Sequence, residues 1–211
     1  MQKYTIFILL FLFITTNIYS QKNRIYDNGY KDFTWGTPEQ TIIALLPNDF
    51  RLDGKYKFTI SDTDILSGLK YLKEEDGIKY IYKFDFLNNS LYEFMFEITS
   101  DADRNYSFIR DLRESLAEEI QNSYGKPIDA MNGQTFNNSK WGDSYLKIAL
   151  VCREKNVQGT YWISNVTCSV YITLVSKEKE IRKIKDDYSK ILQKRDTEKN
   201  NQRIKEFKKK Y

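Results

Sequence analysis

The chain of 211 residues contains no histidine, only three prolines and only two cysteines. Histidine is the commonest general base and a frequent metal ligand, so its absence excludes His-dependent catalytic triads and most zinc sites. Few prolines together with 15% aromatic residues argue against disorder and favour β-structure around an aromatic core. We therefore assign no catalytic residue and expect neither a metal site nor a cofactor.

One apolar run stands out, from Tyr4 to Ile14, and a more polar stretch follows it to Ser20. With Lys3 in front of the run, this order is typical of a secretory signal peptide. The alternative is an uncleaved anchor, but the run is shorter than the roughly 20 apolar residues that span a bilayer. We expect cleavage after Ser20, even though Ile18 is large for its position, no membrane span thereafter, and a periplasmic or extracellular location.

Two cysteines in an exported protein favour one disulfide, between Cys152 and Cys168. The stretches around them, Tyr145–Cys152 and Val166–Val175, each alternate apolar and polar residues. An antiparallel register that places the two cysteines opposite each other also aligns three apolar pairs, and a slip of one residue would lose both. These pairs are Leu150 with Val170, Ile148 with Ile172, and Leu146 with Leu174. Two buried free thiols are the alternative.

Four further strands are predicted from alternation and β-propensity. They are Lys55–Ile60, Leu66–Lys73, Ile78–Phe86 and Leu91–Thr99. Pairing Phe84 with Phe94 and Phe86 with Tyr92 would put the aromatic rows of the last two strands on one face. That register requires a loop of three or five residues centred on Asn89 rather than a two-residue turn.

Two helices are predicted within the domain. Thr37, Pro38 and Gln40 form a capping box with proline at the first helical position, and Ile42, Leu45 and Leu46 form a buried stripe before Pro47. A second helix runs from about Arg104 to Tyr124, with Gly125 as its cap. The Asn-rich stretch Ile128–Lys140 is expected to be a loop.

The last segment, Ser176–Tyr211, holds fourteen Lys/Arg against seven Asp/Glu. Ile181, Ile184, Tyr188 and Ile191 follow a helical stripe that breaks through Asp196–Asn201. We expect a helix that docks on the sheet by its first half, with a looser basic second half. Export argues against nucleic acid and favours an envelope protein or an anionic envelope surface as its partner, while an ordinary solvated helix face is the alternative.

Other motifs are weaker. Ser67 and Lys70 match S-x-x-K, the pairing in which a lysine activates a serine nucleophile, but they lie in a predicted strand. Carboxylate clusters such as Asp62 with Asp64 are typical of solvated turns. Trp35, Trp141 and Trp162 are the candidate binding residues, because tryptophans gathered in a cleft would suit a small molecule or glycan.

Several short features resemble uncharacterised exported proteins of the Bacteroidetes or spirochaete type. They are the signal end Tyr19-Ser20-Gln21, the F-x-W-G-T motif at Phe33–Thr37, the aromatic hairpin Tyr80–Ile98, and Tyr124–Pro127. This resemblance implies an envelope location and no known activity, so it assigns no functional residues.

Together these patterns predict an α+β protein in which an antiparallel sheet has helices packed on one side and ends in a basic C-terminal helix. The expected organisation is a signal peptide over 1–20, one domain over 21–175 and the basic helix over 176–211. The favoured function is a non-catalytic envelope protein that mediates protein or surface interactions. The alternatives are a small-molecule or glycan binder that uses the aromatic sheet, and a hydrolase that uses carboxylates or Ser67.

Overall fold

The computed structural model describes residues 24–61, 63–100, 105–133, 136–156 and 163–210. The predicted signal peptide, residues 1–20, lies outside the described residues, and so does Trp162. Export and cleavage after Ser20 therefore stay predictions.

Ten strands and three α-helices are described, and a short 3-10 turn precedes the last helix. In chain order they are β1 (Gly29–Tyr30), β2 (Phe33–Thr34), α1 (Glu39–Leu45), β3 (Arg51–Ser61), β4 (Asp64–Glu75), β5 (Ile78–Leu87), β6 (Ser90–Ser100), α2 (Tyr106–Tyr124), β7 (Asp129–Asn132), β8 (Phe136–Gly142), β9 (Leu146–Asn156), β10 (Ile163–Leu174) and α3 (Glu178–Lys210).

The main sheet is antiparallel and has the order β3-β4-β5-β6-β10-β9-β8-β7. It consists of two four-stranded meanders, β3 to β6 and β7 to β10, which join where β6 pairs with β10. A helix precedes each meander, and β1 with β2 forms a separate small hairpin. The predicted α+β class with an antiparallel sheet and a C-terminal helix is confirmed.

One face of the sheet, here called the core face, carries the aromatic rows of β5 and β6 and the apolar row of β10. Phe84, Phe94 and Ile172 are aligned across these strands and are fully buried. Residues before β3 cover them: Phe33 lies 4.9 Å from Phe84 and Tyr30 lies 4.7 Å from Phe94, measured between ring centroids. The aromatic sheet is therefore the hydrophobic core of the domain rather than an open ligand surface.

The turn between β5 and β6 differs from the predicted loop. Asn88 and Asn89 form a two-residue turn, both with positive φ (50° and 64°), which suits a tight hairpin. Phe84 faces Phe94 as predicted, but Phe86 faces Leu91. Tyr92 is an extra residue in β6, so a β-bulge brings the aromatic rows back to one face after the tight turn.

Two further expectations are wrong. Leu45 is exposed, whereas Ile42 is fully buried, because α1 contacts the sheet through a narrower stripe than predicted. The stretch predicted to be a loop instead contains β7 (Asp129–Asn132) and the first part of β8, and these two strands pair antiparallel. The side chains of β7 are exposed on the sheet edge, so its sequence has no buried face that would enforce alternation.

The register around the cysteines is the predicted one. Cys152 faces Cys168, and Leu150, Ile148 and Leu146 face the expected partners on β10. The two sulfur atoms lie 2.8 Å apart as buried thiols beneath α2. The hydrogen bond to Cys152, together with burial, raises the pKa of Cys168. The disulfide itself stays a prediction.

Mass analysis of the exported protein under non-reducing conditions is expected to show a peptide that links Cys152 to Cys168. Reduction should then lower the free energy of unfolding by about 3 kcal/mol, because the bond closes a loop of this length in the unfolded chain. A Cys152→Ala, Cys168→Ala protein, which has no bond to reduce, is the control. Two thiols that react with an alkylating reagent as soon as the native protein is denatured would contradict the disulfide.

Candidate functional site

The C-terminal helix α3 lies across the face of the sheet opposite the core face, here called the outer face. Alternation along β3, β5 and β6 puts Phe58, Asp85 and Glu93 on this face. The ring of Tyr188 on α3 lies 4.6 Å from the ring of Phe58, and Ile181 of the same helix is buried. The first half of α3 is thus docked, as the sequence predicts.

An ion pair fixes the start of this helix. Lys147 on β9 donates to both carboxylate oxygens of Glu178 at 2.6 Å. From there α3 passes over β4 and β3, with Ile184 buried beneath it. The helix therefore crosses from the middle of the sheet to the β3 edge.

A pair of half-buried carboxyl groups lies beneath α3. The bulge at Tyr92 places Asp85 of β5 directly opposite Glu93 of β6, and the two carboxyl groups are hydrogen-bonded to each other. A carboxyl can donate only when it is protonated, so a hydrogen bond between these two groups requires one of them to hold a proton. Lys185 on α3 supplies a nearby positive charge to both groups.

Hydroxyl groups from neighbouring strands complete this cluster. Tyr56 on β3 donates to Asp85 Oδ1 at 2.7 Å, and Thr173 on β10 donates to Glu93 Oε2 at 2.9 Å. The Tyr56 ring reaches β5 by lying over Gly68 of β4, where a Cβ atom would stand 2.2 Å from the ring. Only glycine at position 68 leaves room for this bond.

Burial dominates the ionisation of the pair. It raises the pKa of Asp85 despite the hydrogen bond from Tyr56, and it raises the pKa of Glu93 together with the negative charge of Asp85. Burial and the neighbouring Asp85 also raise the pKa of Tyr56 and of Tyr92. Burial therefore disfavours the charged form of each of these four groups.

The second half of α3 is exposed to solvent. Every residue from Leu192 to Phe207 is exposed, and the whole helix of 33 residues is about 50 Å long at 1.5 Å per residue. Residues 192–211 hold eight Lys/Arg against three Asp/Glu. This exposed half, residues 192–210, is here called the projecting half, and it is a positively charged helix that continues the docked half.

The predicted tryptophans do not form a described cleft. The indole N–H of Trp35 donates to the Tyr26 carbonyl and that of Trp141 to the Gly125 carbonyl, each at 3.0 Å. Trp141 is buried and Trp35 is partly buried. Both rings therefore pack against the domain, while Trp162 lies outside the described residues.

The S-x-x-K motif does not assemble a nucleophile. Ser67 and Lys70 are three residues apart in β4, so their side chains point to opposite faces, and Lys70 pairs with Asp53 instead. Ser67 donates to Glu39 Oε2 at 2.9 Å. Burial alone would raise the pKa of Glu39, but hydrogen bonds from Lys55 and Ser67 outweigh it, so Glu39 is a weak base.

Sequence reasoning missed the carboxyl pair. Asp85 and Glu93 alternate with the aromatic residues of β5 and β6, and such alternation is typical of strands with one solvated face. Their burial depends on α3 above them, and their apposition depends on the bulge. In the sequence of β6, Glu93 lies between Tyr92 and Phe94. This pattern does not identify the residue that faces Glu93 on the neighbouring strand.

Comparisons with known proteins give this site no precedent. No family model matches the chain, and neither a curated protein nor a solved structure matches it. Within the described ranges, no helix is long and apolar enough to cross a membrane. The same ranges contain no cluster of three or more Cys, Asp or Glu side chains placed to hold a metal ion.

The carboxyl pair is expected to make stability fall as pH rises. Unfolded carboxyls release their protons near pH 4, whereas the raised pKa values of Asp85 and Glu93 retain a proton in the folded protein to higher pH. Stability from this pair is therefore full below about pH 4 and declines as pH rises through the folded pKa values. Asp85→Asn cannot ionise and can still donate to Glu93, so it should become more stable relative to the unmodified protein as pH rises.

Chemical denaturation at a series of pH values measures this difference. Glu97→Gln is the matched control, because Glu97 lies on the same face of β6 but faces Ile81 rather than a carboxyl group. Its difference from the unmodified protein should vary less with pH. If Asp85→Asn and Glu97→Gln changed stability in parallel across the series, the two carboxyls would not share a proton.

Proposed function

We propose that this protein is a non-catalytic exported envelope protein that binds acidic protein surfaces through the projecting half of α3. The observation that carries the proposal is the division of one helix into a docked half and a projecting half. In the docked half, Ile181 and Ile184 are buried, whereas residues 192–207 are exposed and carry a net positive charge. An isolated helix of this length is only marginally stable in water, so a binding partner would add to its stability.

The charge of the projecting half favours an anionic partner. Lys194, Arg195, Lys199 and Arg203 are exposed and have no carboxylate within ion-pair distance among the described residues. Cations without partners retain their full attraction for an acidic surface, and several of them act together at low ionic strength. The projecting half thus offers four cations for binding that have no competing ion pair among the described residues.

An acidic protein fits this helix better than a lipid surface. Eleven consecutive residues, 193–203, contain no apolar side chain, and they span about three helical turns. A helix that lies in a membrane interface buries a continuous apolar face, which this stretch lacks. The interaction is therefore electrostatic, and export to the envelope rests on the signal-like residues 1–20.

Binding to immobilised poly-L-glutamate tests the proposal. The full-length protein is expected to bind and to dissociate as salt is raised. Reversing four charges of the projecting half should weaken binding about tenfold or more, because each exposed pair contributes up to about 1 kcal/mol. The changes are Lys194→Glu, Arg195→Glu, Lys199→Glu and Arg203→Glu.

A second variant distinguishes the effect of the α3 cations from the effect of the net charge of the protein. It carries the same number of reversals at exposed cations elsewhere, namely Lys31→Glu, Arg51→Glu, Lys57→Glu and Lys126→Glu. This control should bind at least tenfold more tightly than the helix variant. Equal losses in the two variants would contradict a role for α3, and binding to anionic lipid vesicles but not to polyglutamate would replace the protein partner with a membrane surface.

A further inference from the structure

The exposed face of α2 carries acidic side chains without partners. Glu114, Glu118 and Glu119 are exposed, and none has a cation within ion-pair distance among the described residues. Glu114 and Glu118 are four residues apart and lie on one row of the helix. Arg110 and Arg113 lie near the start of α2, but from Glu114 to its end the helix contains no Lys or Arg.

The projecting half of α3 carries a basic row of the same spacing. Arg195, Lys199 and Arg203 are each four residues apart, which is about 6 Å along a helix axis. Rows of residues four apart are the ridges by which two helices commonly pack. Laid along α2, this row would bring a cation close to each of Glu114 and Glu118.

The two helices of one chain cannot make this contact. Tyr106 on α2 bonds Glu154, and the helix packs on the core face over β6 and β8 to β10. In contrast, α3 lies on the outer face and leaves the sheet at β3, which is at the far edge from β8. Because α3 is one continuous helix, it projects away from α2 rather than turning back to it.

Charge is also divided between the two parts of the chain. Residues 21–175 hold 18 Lys/Arg against 22 Asp/Glu, whereas residues 176–211 hold fourteen against seven. An acidic domain and a basic projecting helix on the same molecule are complementary between copies.

We propose that two copies of this chain associate by laying the projecting half of α3 of each along the acidic face of α2 of the other. The inference rests on the proposed function, since it identifies the acidic surface that the projecting half binds. A two-fold arrangement makes the contact twice and closes the assembly, which a one-way contact would not.

Sedimentation velocity of the full-length protein tests this arrangement. Self-association is expected at low ionic strength and should be lost at high salt. Two variants each remove one surface: Glu114→Lys, Glu118→Lys, Glu119→Lys on α2, and Arg195→Glu, Lys199→Glu, Arg203→Glu on α3. Each variant alone should associate at least tenfold more weakly, because its two surfaces then carry the same sign of charge.

Mixing the two variants gives the decisive result. The α2 variant has two basic surfaces and the α3 variant two acidic ones, so an equal mixture should restore association to near its original strength. Reversals at exposed acidic residues elsewhere (Asp32→Lys, Glu74→Lys and Asp129→Lys) should leave self-association unchanged. Circular dichroism of every variant establishes that it remains folded.

Failure of this inference is distinguishable from failure of the proposed function. A monomeric protein that still binds polyglutamate through α3 would overturn the self-association and leave the proposed function standing. A mixture of variants that stays monomeric, while the unmodified protein associates, would also overturn it. A protein that neither associates nor binds polyglutamate would overturn both.

Discussion

One additional residue in β6 determines which side chains of β5 and β6 face each other on both sides of the sheet. Tyr92 follows a tight Asn88-Asn89 turn and shifts the register by one position, so Phe84 meets Phe94 on the core face. The same shift sets Asp85 against Glu93 on the outer face. Without the bulge, a two-residue turn would place the aromatic rows on opposite faces, and one of them would need a second apolar cover.

The two faces are stabilised by different physics. The core face buries aromatic rings against residues before β3 and against α2, so its stability comes from apolar area and ring packing. The outer face has a smaller contribution of this kind, from Ile181, Ile184 and the ring of Tyr188. It also partly buries a carboxyl pair, which costs free energy unless the pair is hydrogen-bonded and keeps a proton.

Docking therefore ends where favourable contacts end. After Tyr188 passes Phe58 on the edge strand, the residues of α3 become exposed, and its sequence turns from a stripe of apolar residues to charged ones. The projecting half remains helical because the docked half supplies the nucleus, and adding residues to an existing helix is far easier than starting one. The helix thus gives the proposed acidic partner a basic surface that is already in place.

Much of the fold could be predicted because its elements rest on local patterns. The cysteine hairpin was correct in every pair, since one register satisfied the sulfurs and three apolar pairs together. The prediction of the β5–β6 loop was wrong because a bulge can restore the register after a two-residue turn. No residue type in the sequence marks the position of such a bulge. The β7–β8 hairpin was missed because an edge strand with exposed side chains has no periodicity.

The carboxyl pair could not be predicted, because it depends on three structural features that are far apart in the sequence. Gly68 must leave space for Tyr56, Tyr92 must bulge, and α3 must cover the outer face. Each is invisible in its own stretch of sequence. The docked and projecting halves of α3, in contrast, followed from where its apolar stripe stops.

Hydrogen–deuterium exchange of the full-length protein tests the divided helix most directly. Amides in the docked half, residues 178–191, should exchange slowly, whereas those of residues 192–207 should exchange fast and slow down when polyglutamate is added. Protection by polyglutamate that appears on the domain instead, or slow exchange along the whole of α3 without a ligand, would contradict it.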